Sequence, residues 1–338
     1  MEQTRLRHSA DGAERPDVSI IVPAYEEAES LPELADGLRA ACDEAGLSFQ
    51  VWIIDDGSRD DTWAVVQRLH EEDPRFAGLR FRRNYGKSAA LAMGFDRVQG
   101  RYVATIDADL QDDPKEIPRL LDTLEEGGYD LVSGWKRDRK DPLTKTIPSR
   151  FFNWVTRLFS GLPLHDFNCG LKVYRREVVK SVNVYGELHR YIPLLAKWEG
   201  YDRVTEQEVQ HHARKYGTTK FGPERFIQGF LDLITVVFLT RYAVRPMHFF
   251  GSIGTVAFVL GFGINLWLSI DKIVFGDPIG GARPLLLLGL LLILFGSQMF
   301  TTGLLGEMVI QPRMEDPSTY EVADAVGPAD EAAEVVEG

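Results

Sequence analysis

Short apolar runs alternate with longer stretches of helical periodicity through the first 135 residues of the chain. The β-branched and aromatic runs predict five strands, at Val18–Val22, Val51–Ile54, Gly78–Phe81, Tyr102–Ile106 and Asp130–Gly134. Apolar residues at helical spacing predict four helices, at Ser30–Gly46, Asp61–His70, Lys87–Val98 and Pro114–Gly127. Strands and helices that alternate in this way form a mostly parallel sheet with helices on its faces, which is an α/β fold.

Local signals place two element ends and exclude one kind of site. Pro23 is predicted to close the first strand, and Ser30 to cap the first helix, with Glu33 completing a capping box. No GxGxxG pattern follows any predicted strand, so a dinucleotide fold of the dehydrogenase type is disfavoured.

Two late segments contain no Asp, Glu, Lys or Arg: Pro246–Ile270 and Pro284–Gly306. Each has about 25 residues, enough at 1.5 Å per residue to cross a hydrocarbon core of roughly 30 Å. We predict two transmembrane helices, at about 246–270 and 284–310, in a membrane domain 246–311. Arginines flank the outer ends of both spans, at positions 241, 245 and 313. This charge pattern favours a multi-pass protein of the cell membrane with both termini and the N-terminal domain in the cytoplasm.

Composition divides the rest of the chain. We expect residues 1–16 to be a flexible N-terminus and residues 17–223 to form the cytosolic α/β domain. Residues 224–245 alternate apolar and basic positions, which predicts interfacial amphipathic helices. Residues 312–338 hold eight Asp or Glu and are predicted to be a disordered acidic tail. The net charge is −12, and the part before the tail is only weakly acidic, so no nucleic-acid partner is indicated.

The strongest chemical signal is the run DADLQ, which directly follows the predicted strand Tyr102–Ile106. If the extended alternation continues past the strand, Asp107, Asp109 and Gln111 lie on one side. Ligands of open α/β sheets bind outside the carboxyl ends of the strands. Oxygen ligands there suit Mg²⁺ or Mn²⁺ carrying a diphosphate. A solvated acidic loop is the alternative interpretation.

Three further polar clusters follow predicted strand ends. Tyr25 and Glu27 could hold a nucleobase, by stacking and by accepting its N–H groups, although an ordinary turn fits equally well. Asp55 and Asp56 could accept from the base or ribose, or form an Asx turn. The run RRNYGK at 82–87 puts cations at a helix N-terminus, which suits an anion.

The runs SIIVPAYEE, IIDDGSRDDT, RRNYGKSAALAMGF and TIDADLQDDP together resemble the family-2 glycosyltransferases of the GT-A fold, in order and in spacing. DADLQ and three later runs, at 165–175, 187–193 and 214–222, are similar to the polyprenyl-phosphate branch of that family. This branch contains dolichol-phosphate mannose synthases and bactoprenol-phosphate glucosyltransferases. The resemblance covers about residues 17–311 and implies a GT-A domain followed by a two-helix membrane hairpin.

The resemblance also implies roles for individual residues. It implies that the donor nucleotide is bound by Pro23, Tyr25, Glu27, Asp55, Asp56, Lys87, Asp107, Arg214 and Lys220. It implies that Mg²⁺ or Mn²⁺ is held by Asp107, Asp109 and Gln111, and that Asp109 and Asp166 are catalytic. A helix-cap role is the alternative for Asp166, and a solvated loop charge is the alternative for Lys220.

The acceptor side is predicted from basic and aromatic residues. Between Ser149 and Phe159, one helical face collects Phe151, Trp154, Val155, Leu158 and Phe159. Such a helix is typical of a membrane interface. Arg137 and Arg150 are the candidates for the lipid phosphate, because arginine makes forked contacts with phosphate oxygens.

We therefore expect an inverting, metal-dependent glycosyltransferase that moves a sugar from a nucleotide sugar, UDP-glucose or similar, to a polyprenyl phosphate. A GDP-mannose-dependent dolichol-phosphate mannose synthase is the first alternative. A processive polysaccharide synthase, which would carry QxxRW, and an inactive membrane scaffold are further alternatives. Glycine-rich spans favour contact between hairpins of different copies, so we expect a homo-oligomer, and the resemblance suggests a tetramer.

Overall fold

The computed structural model describes residues 15–137, 153, 156–157, 160–186, 188–212, 215, 246–275 and 283–314, the last helix with side chains up to residue 308. The chain divides into two compact units, Met1–Leu233 and Ile234–Gly338. The first unit contains the sheet, and the second contains the two long apolar helices.

Seven described strands form one sheet: β1 Val18–Ala24, β2 Phe49–Asp55, β3 Phe76–Arg80, β4 Tyr102–Thr105, β5 Leu131–Trp135, β6 Lys172–Arg175 and β7 Val204–Glu208. Their spatial order is β3-β2-β1-β4-β6-β5-β7. Within this sheet β6 runs antiparallel to both neighbours, and the other six strands run in one direction. The predicted mostly parallel α/β sheet is confirmed.

The helices of this unit whose bounds the structure describes are α1 Leu31–Glu44, α2 Thr62–Glu72, α3 Lys87–Arg97, α4 Glu116–Glu126, α5 Arg176–Ser181 and α6 Ile192–Trp198, with a 3-10 turn at Leu188–Tyr191. All four predicted helices are present, with ends shifted by up to two residues. The predicted capping box at α1 is wrong. Ser30 already has helical dihedral angles, its hydroxyl donates to the Glu27 carboxylate at 2.8 Å, and Glu33 pairs with Lys215 at 2.7 Å.

Pro23 does not close β1, which continues to Ala24 beside β2. Pairing between β1 and β4 ends at Ile21, whose carbonyl accepts from the Ile106 N–H. Pro23 lies two residues after Ile21, so its backbone nitrogen also points towards the β4 side, where the pairing has already ended. Its missing N–H therefore removes no hydrogen bond from the sheet.

The shared direction of the strands creates one functional edge. The carboxyl ends of β1, β2, β4, β5 and β7 meet there, and Thr105 at the end of β4 pairs with Lys172 at the start of β6. The loop before β6 therefore arrives at the same edge. The buried core of the sheet is mostly aliphatic, and Ile20, Val51 and Ile106 are among its fully buried members. Burial of each such side chain stabilises the fold by about 1.5–3 kcal/mol.

The second unit contains two helices that are long and apolar enough to cross a membrane: Met247–Phe275, with mean hydropathy 1.9, and Arg283–Met308, with mean hydropathy 2.0. The first is α7, Ser252–Ile270, with a π-helical turn at each end, and the second belongs to α8, Arg283–Met314. Only 17% and 11% of their most apolar windows are buried. The core helix of a soluble protein would be mostly buried, so this exposure fits a lipid environment.

Glycines bring the two helices of the hairpin together. A Cβ atom on Gly254 would lie 2.7 Å from the Gly296 carbonyl oxygen, and one on Gly261 would lie 2.5 Å from the Gly289 carbonyl oxygen. These four residues are therefore used inside the hairpin. They no longer support the expected contact between copies, and the oligomer stays a prediction.

Gly261→Ala is expected to destabilise the hairpin by about 1–3 kcal/mol, because its new methyl group cannot be accommodated against α8. Gly263→Ala is the matched control, since a Cβ atom on Gly263 would have nothing within 4 Å. Thermal unfolding of the full-length protein in mild detergent measures both. Equal melting temperatures for the two variants would contradict the assigned packing.

Candidate active site

The acidic run after β4 forms a turn at the functional edge. β4 ends at Thr105, Leu110 adopts a left-handed φ of 59°, and the Gln111 N–H donates to Asp109 Oδ1 at 3.2 Å. The premise that Asp107, Asp109 and Gln111 continue the extended alternation is therefore wrong, because the chain has left the strand. Their shared role in holding a cation stays a prediction. A non-glycine residue in the left-handed region costs of order 1–3 kcal/mol, and such strain is concentrated at functional sites.

Asp107 is held by a lysine from the neighbouring helix. Lys87, the first residue of α3, places its Nζ 2.5 Å from Asp107 Oδ1. Burial alone would raise the pKa of Asp107, but the positive charges of Lys87 and, to a smaller extent, Lys136 and Lys172 together outweigh it, and the pKa falls to about 2. Asp107 is therefore ionised at any physiological pH.

Gly170, in the loop before β6, packs directly against the same carboxylate. A Cβ atom on Gly170 would lie 2.5 Å from Asp107 Cγ, which no real side chain tolerates. The Gly170 carbonyl also accepts a hydrogen bond from Thr105 Oγ1 at 2.8 Å, which fixes the loop to the end of β4. Asp107 is thus held by charge on one side and by backbone on another.

Buried lysines support the acidic turn from within the fold. Lys136 Nζ lies 2.6 Å from Asp112 Oδ1, and both side chains are almost fully buried. Lys172 is 3% exposed and donates to the Cys169 carbonyl, and burial lowers the pKa of Lys172. Lys136 directly precedes the acceptor candidate Arg137, but its side chain is buried against Asp112.

The predicted nucleoside carboxylates support two loops. Asp56 accepts from the Tyr85 N–H at 2.7 Å and the Gly86 N–H at 2.9 Å. Asp55 is fully buried, accepts from the Ser58 N–H at 2.9 Å and pairs with Arg80 at 3.3 Å. These contacts join the loop after β2 to the loop before α3.

The loop after β1 belongs to the same rim. The Glu26 N–H donates to Ser58 Oγ and the Glu27 N–H to Thr62 Oγ1, both at 2.9 Å. Pro23 and Tyr25 lie at this end of β1 and are half-buried. The three clusters that the sequence placed at strand ends therefore form one continuous rim along the functional edge.

The acceptor candidate Arg137 follows β5 at this edge. Its guanidinium lies 5.9 Å from the centre of the Trp135 ring and 3.4 Å from Glu208 Oε2, and 63% of its side chain is exposed. His165 stacks on Trp135 with ring centres 4.5 Å apart and binds Glu206.

Asp166, the residue after His165, is 2% exposed and accepts from the Asn168 N–H at 3.0 Å. That contact closes a short turn, and no described helix begins there, so it is not the helix cap that was the alternative. The catalytic role of Asp166 stays a prediction.

Three site predictions, Arg150, Arg214 and Lys220, lie outside the described residues, as do the apolar positions of the predicted interfacial helix. Asn153 and Thr156 in that segment, and Ser160 directly after it, are described, and all three are buried.

The segment that directly precedes Arg214 is bound to the acidic turn. The His212 N–H donates to the Gln111 carbonyl at 2.9 Å, and Asp112 forms an isolated β-bridge with His211.

Several residues of the site were missed from the sequence: Ser88, Asp112, Lys136, Gly170, Lys172 and His189. Gly170 and Lys172 stand in the run 165–175, and His189 stands in the run 187–193, both of which carried the family resemblance. The runs marked these residues as notable, but no spacing along the chain relates them to Asp107 or α3.

The oxygen ligands of the acidic turn suit a cation that is shared with substrate phosphates better than a cation that the protein encloses completely. Within the described ranges, no three His, Cys, Asp or Glu side chains are grouped so as to hold a metal ion. Mg²⁺ and Mn²⁺ commonly take one or two carboxylates and complete their shell with water and substrate phosphates. Asp107, Asp109 and Gln111 at one turn suit that arrangement.

A mostly parallel sheet with an acidic turn and cations at its carboxyl edge defines a GT-A glycosyltransferase. The glycosyl transferase family 2 model matches residues 19–182. A dodecaprenyl-phosphate galacturonate synthase from Rhizobium johnstonii is 38% identical over 93% of this chain and 94% of its own length. An undecaprenyl-phosphate 4-deoxy-4-formamido-L-arabinose transferase from Pseudomonas syringae is 37% identical over 86% of this chain and 84% of its own. The chain belongs to glycosyltransferase family 2, which confirms the resemblance.

Solved structures share the fold at lower identity. Glucosyl-3-phosphoglycerate synthase from Mycobacterium tuberculosis, with UDP, has a TM-score of 0.53 and 20% identity, and covers 68% of this chain and 83% of that one. The same enzyme was solved with Mn²⁺ and UDP-glucose, also at a TM-score of 0.53. These similarities confirm the GT-A fold of the first unit.

Proposed function

We propose that this protein transfers a sugar from a nucleotide sugar to a polyprenyl phosphate, with inversion at the anomeric carbon. The observation that carries the proposal is the acidic turn at the functional edge, where Lys87 and Gly170 hold Asp107. Relatives that match nearly the whole length of the chain act on polyprenyl phosphates. Those relatives handle galacturonate and an aminoarabinose derivative. We therefore propose a sugar of that kind, and favour neither UDP-glucose nor GDP-mannose.

The acceptor needs little activation. A phosphate monoester has a second pKa near 6 and is largely dianionic at neutral pH. One of its oxygens attacks the anomeric carbon, the bond from that carbon to the donor diphosphate breaks, and the electron pair leaves with the nucleoside diphosphate. No proton must be removed, so a strong general base is not required. Asp166 is proposed to orient the reacting groups.

The chain's own cations are proposed to stabilise the leaving diphosphate. Lys87 stands at the N-terminus of α3, where charge and helix dipole both favour an anion. Arg214 and Lys220 follow a segment that is docked on Gln111, which supports their proposed role over the donor phosphates. Fixed charges that face the developing charge contribute strongly to such reactions.

A divalent cation would be held by Asp107, Asp109 and Gln111. When bound, Mg²⁺ or Mn²⁺ supplies charge neutralisation for the diphosphate. The rim contributed by Pro23, Tyr25 and Glu27, together with Asp55 and Asp56, is proposed to hold the nucleoside.

The apolar helices are proposed to anchor the enzyme as a multi-pass membrane protein with its catalytic unit and both termini in the cytoplasm. Residues 224–245 are proposed to lie at the interface. A homo-oligomer, such as a tetramer, remains part of this proposal. A processive synthase is less well supported, because QxxRW is absent from the sequence. An inactive scaffold is disfavoured by the complete acidic turn.

Acceptor choice tests the proposed function. Purified full-length protein would be incubated with radiolabelled UDP-galacturonate and polyprenyl phosphate, polyprenol or 3-phosphoglycerate. We expect label in the lipid fraction only with polyprenyl phosphate, with one nucleoside diphosphate released per sugar. Because the donor base is unidentified, a panel of UDP- and GDP-sugars accompanies the assay. Transfer to 3-phosphoglycerate alone would contradict the proposal.

Arg137→Ala is expected to raise the KM for polyprenyl phosphate by about tenfold, the scale of losing one charge-assisted phosphate contact. The KM for the donor should change less than twofold. Arg203→Ala is the control, because Arg203 is also exposed but pairs with Asp130 near the start of β5, at the opposite edge. If Arg137→Ala mainly weakened donor binding, its assignment to the acceptor would be wrong.

A further inference from the structure

His189 contacts the first turn of α3, although it lies 101 residues after Ser88 in the sequence. It lies in the 3-10 turn Leu188–Tyr191, and its backbone N–H donates to Ser88 Oγ at 3.1 Å. Its Nδ1 lies 2.9 Å from the same hydroxyl oxygen. Ser88 is the second residue of α3 and is 2% exposed. One buried hydroxyl group therefore makes two hydrogen bonds to one residue.

The Ser88 hydroxyl group can serve both of these hydrogen bonds. Ser88 Oγ accepts from the His189 backbone N–H, and its single proton is available for Nδ1. We assign Nδ1 as the acceptor of that proton, which puts the ring proton on Nε2. Burial, with Lys87 and Arg190 nearby, lowers the pKa of His189 to about 2. The imidazole is therefore neutral and accepts from Ser88 at physiological pH.

The contact matters because of the residue beside Ser88. Lys87 precedes it in the chain and makes the 2.5 Å ion pair with Asp107. On the other flank, Asp56 accepts from the Gly86 and Tyr85 N–H groups. The amino end of α3 is thus fixed from two sides, by a carboxylate before Lys87 and by an imidazole after it.

We propose that His189 is a positioning residue that, through the Ser88 hydroxyl, fixes the first turn of α3 and aims Lys87 at Asp107. This inference rests on the proposed function only in so far as Lys87 and Asp107 serve the donor diphosphate. It gives a role to the run 187–193, which the proposed reaction leaves without one.

A set of matched substitutions separates positioning from general support of the fold. His189→Phe keeps a ring but removes the acceptor, and His189→Asn keeps an acceptor oxygen near the place of Nδ1. Ser88→Ala removes the hydroxyl group while leaving His189 unchanged. Each variant would be made alone and in a Lys87→Met background, and melting temperatures would be recorded for all of them.

The first readout is binding of UDP with Mn²⁺ to full-length protein, measured by calorimetry, with GDP used if UDP does not bind the wild type. We expect His189→Phe and Ser88→Ala each to weaken binding by about tenfold, the scale of one buried hydrogen bond. His189→Asn should come within about threefold of wild type. Once Lys87 is replaced by Met, none of the three should weaken binding further.

Two results would overturn the inference. One is that His189→Phe weakens binding by the same factor with and without Lys87. The other is that His189→Asn binds as poorly as His189→Phe while both melt like the wild type. Because the readout uses a nucleoside diphosphate and no acceptor, it stays decisive if the sugar or lipid proposal fails. The second readout, kcat against KM with polyprenyl phosphate, should show the loss in kcat and an unchanged acceptor KM.

Discussion

Asp109→Ala is expected to lower the rate of sugar transfer at least about a hundredfold, the scale of removing one main electrostatic stabiliser. Asp109 sits in the strained turn after β4, is only 9% exposed, and accepts from the Gln111 N–H. Its loss removes one of two carboxylates available to a cation at the donor diphosphate. Initial rates with saturating donor and a titration of Mn²⁺ measure the effect.

Asp113→Ala is the matched control for this prediction. Asp113 lies in the same acidic run, but its carboxylate faces the Lys115 N–H and lies 3.5 Å from His212. We expect it to retain activity within about threefold, the range of an ordinary surface substitution. Wild-type rates from Asp109→Ala in the presence of EDTA would rule out both the assigned residue and the metal.

Gly170→Ala is expected to lower the transfer rate by about a hundredfold and to weaken binding of nucleoside diphosphate with Mn²⁺. The new methyl group would occupy the space of the Asp107 carboxylate, so Asp107 must leave the position in which Lys87 holds it. Removing a correctly placed electrostatic group typically costs a factor of about 10²–10³ in rate.

Gly100→Ala is the control for a steric clash that lies away from the site. A Cβ atom on Gly100 would lie 2.6 Å from the Ser19 backbone nitrogen, just before the amino end of β4 and so at the opposite edge of the sheet. We expect Gly100→Ala to lower the melting temperature without weakening nucleotide binding, and Gly170→Ala to do the reverse. Equal loss of binding in both variants would mean that Gly170 matters only for folding.

The strands and helices near the amino end of the chain were predictable because each carries its own period. β1, β2 and β4 are short apolar runs, and the burial of one side of α1 follows from Leu31, Leu34 and Leu38. Local hydrogen bonding was less predictable. Ser30 was expected to cap α1, but Glu27 competes for its hydroxyl group, and a spacing rule does not include that competition.

The acidic turn was found for a partly wrong reason. Its position after β4 follows from the apolar run that precedes it, but the side-by-side arrangement was derived from an extended chain. Leu110 adopts the left-handed conformation instead, which sequence periodicity does not reveal for a residue other than glycine.

Contacts between residues that are far apart in the sequence could not be predicted from local sequence patterns. Gly170 meets Asp107 because β6 enters the sheet antiparallel beside β4. His189 meets Ser88 across 101 positions of sequence. Both contacts depend on topology, so only the fold could reveal them.

The glycines of the apolar helices show the same limit. Their number predicted close helix packing, which the structure contains. Composition alone could not say whether the partner helix belongs to the same chain, and the contact of Gly254 with Gly296 assigns it to the hairpin itself.

The most direct test of the central claim is a lipid-extraction assay with purified full-length protein, polyprenyl phosphate, Mn²⁺ and a panel of radiolabelled nucleotide sugars. Wild type and Asp109→Ala would be compared at equal concentration. We predict that one donor, a uronate or aminopentose nucleotide, labels the lipid fraction with wild type, and that Asp109→Ala reduces the label at least about a hundredfold. Absence of labelled lipid with every donor, or equal labelling by the two proteins, would contradict the account.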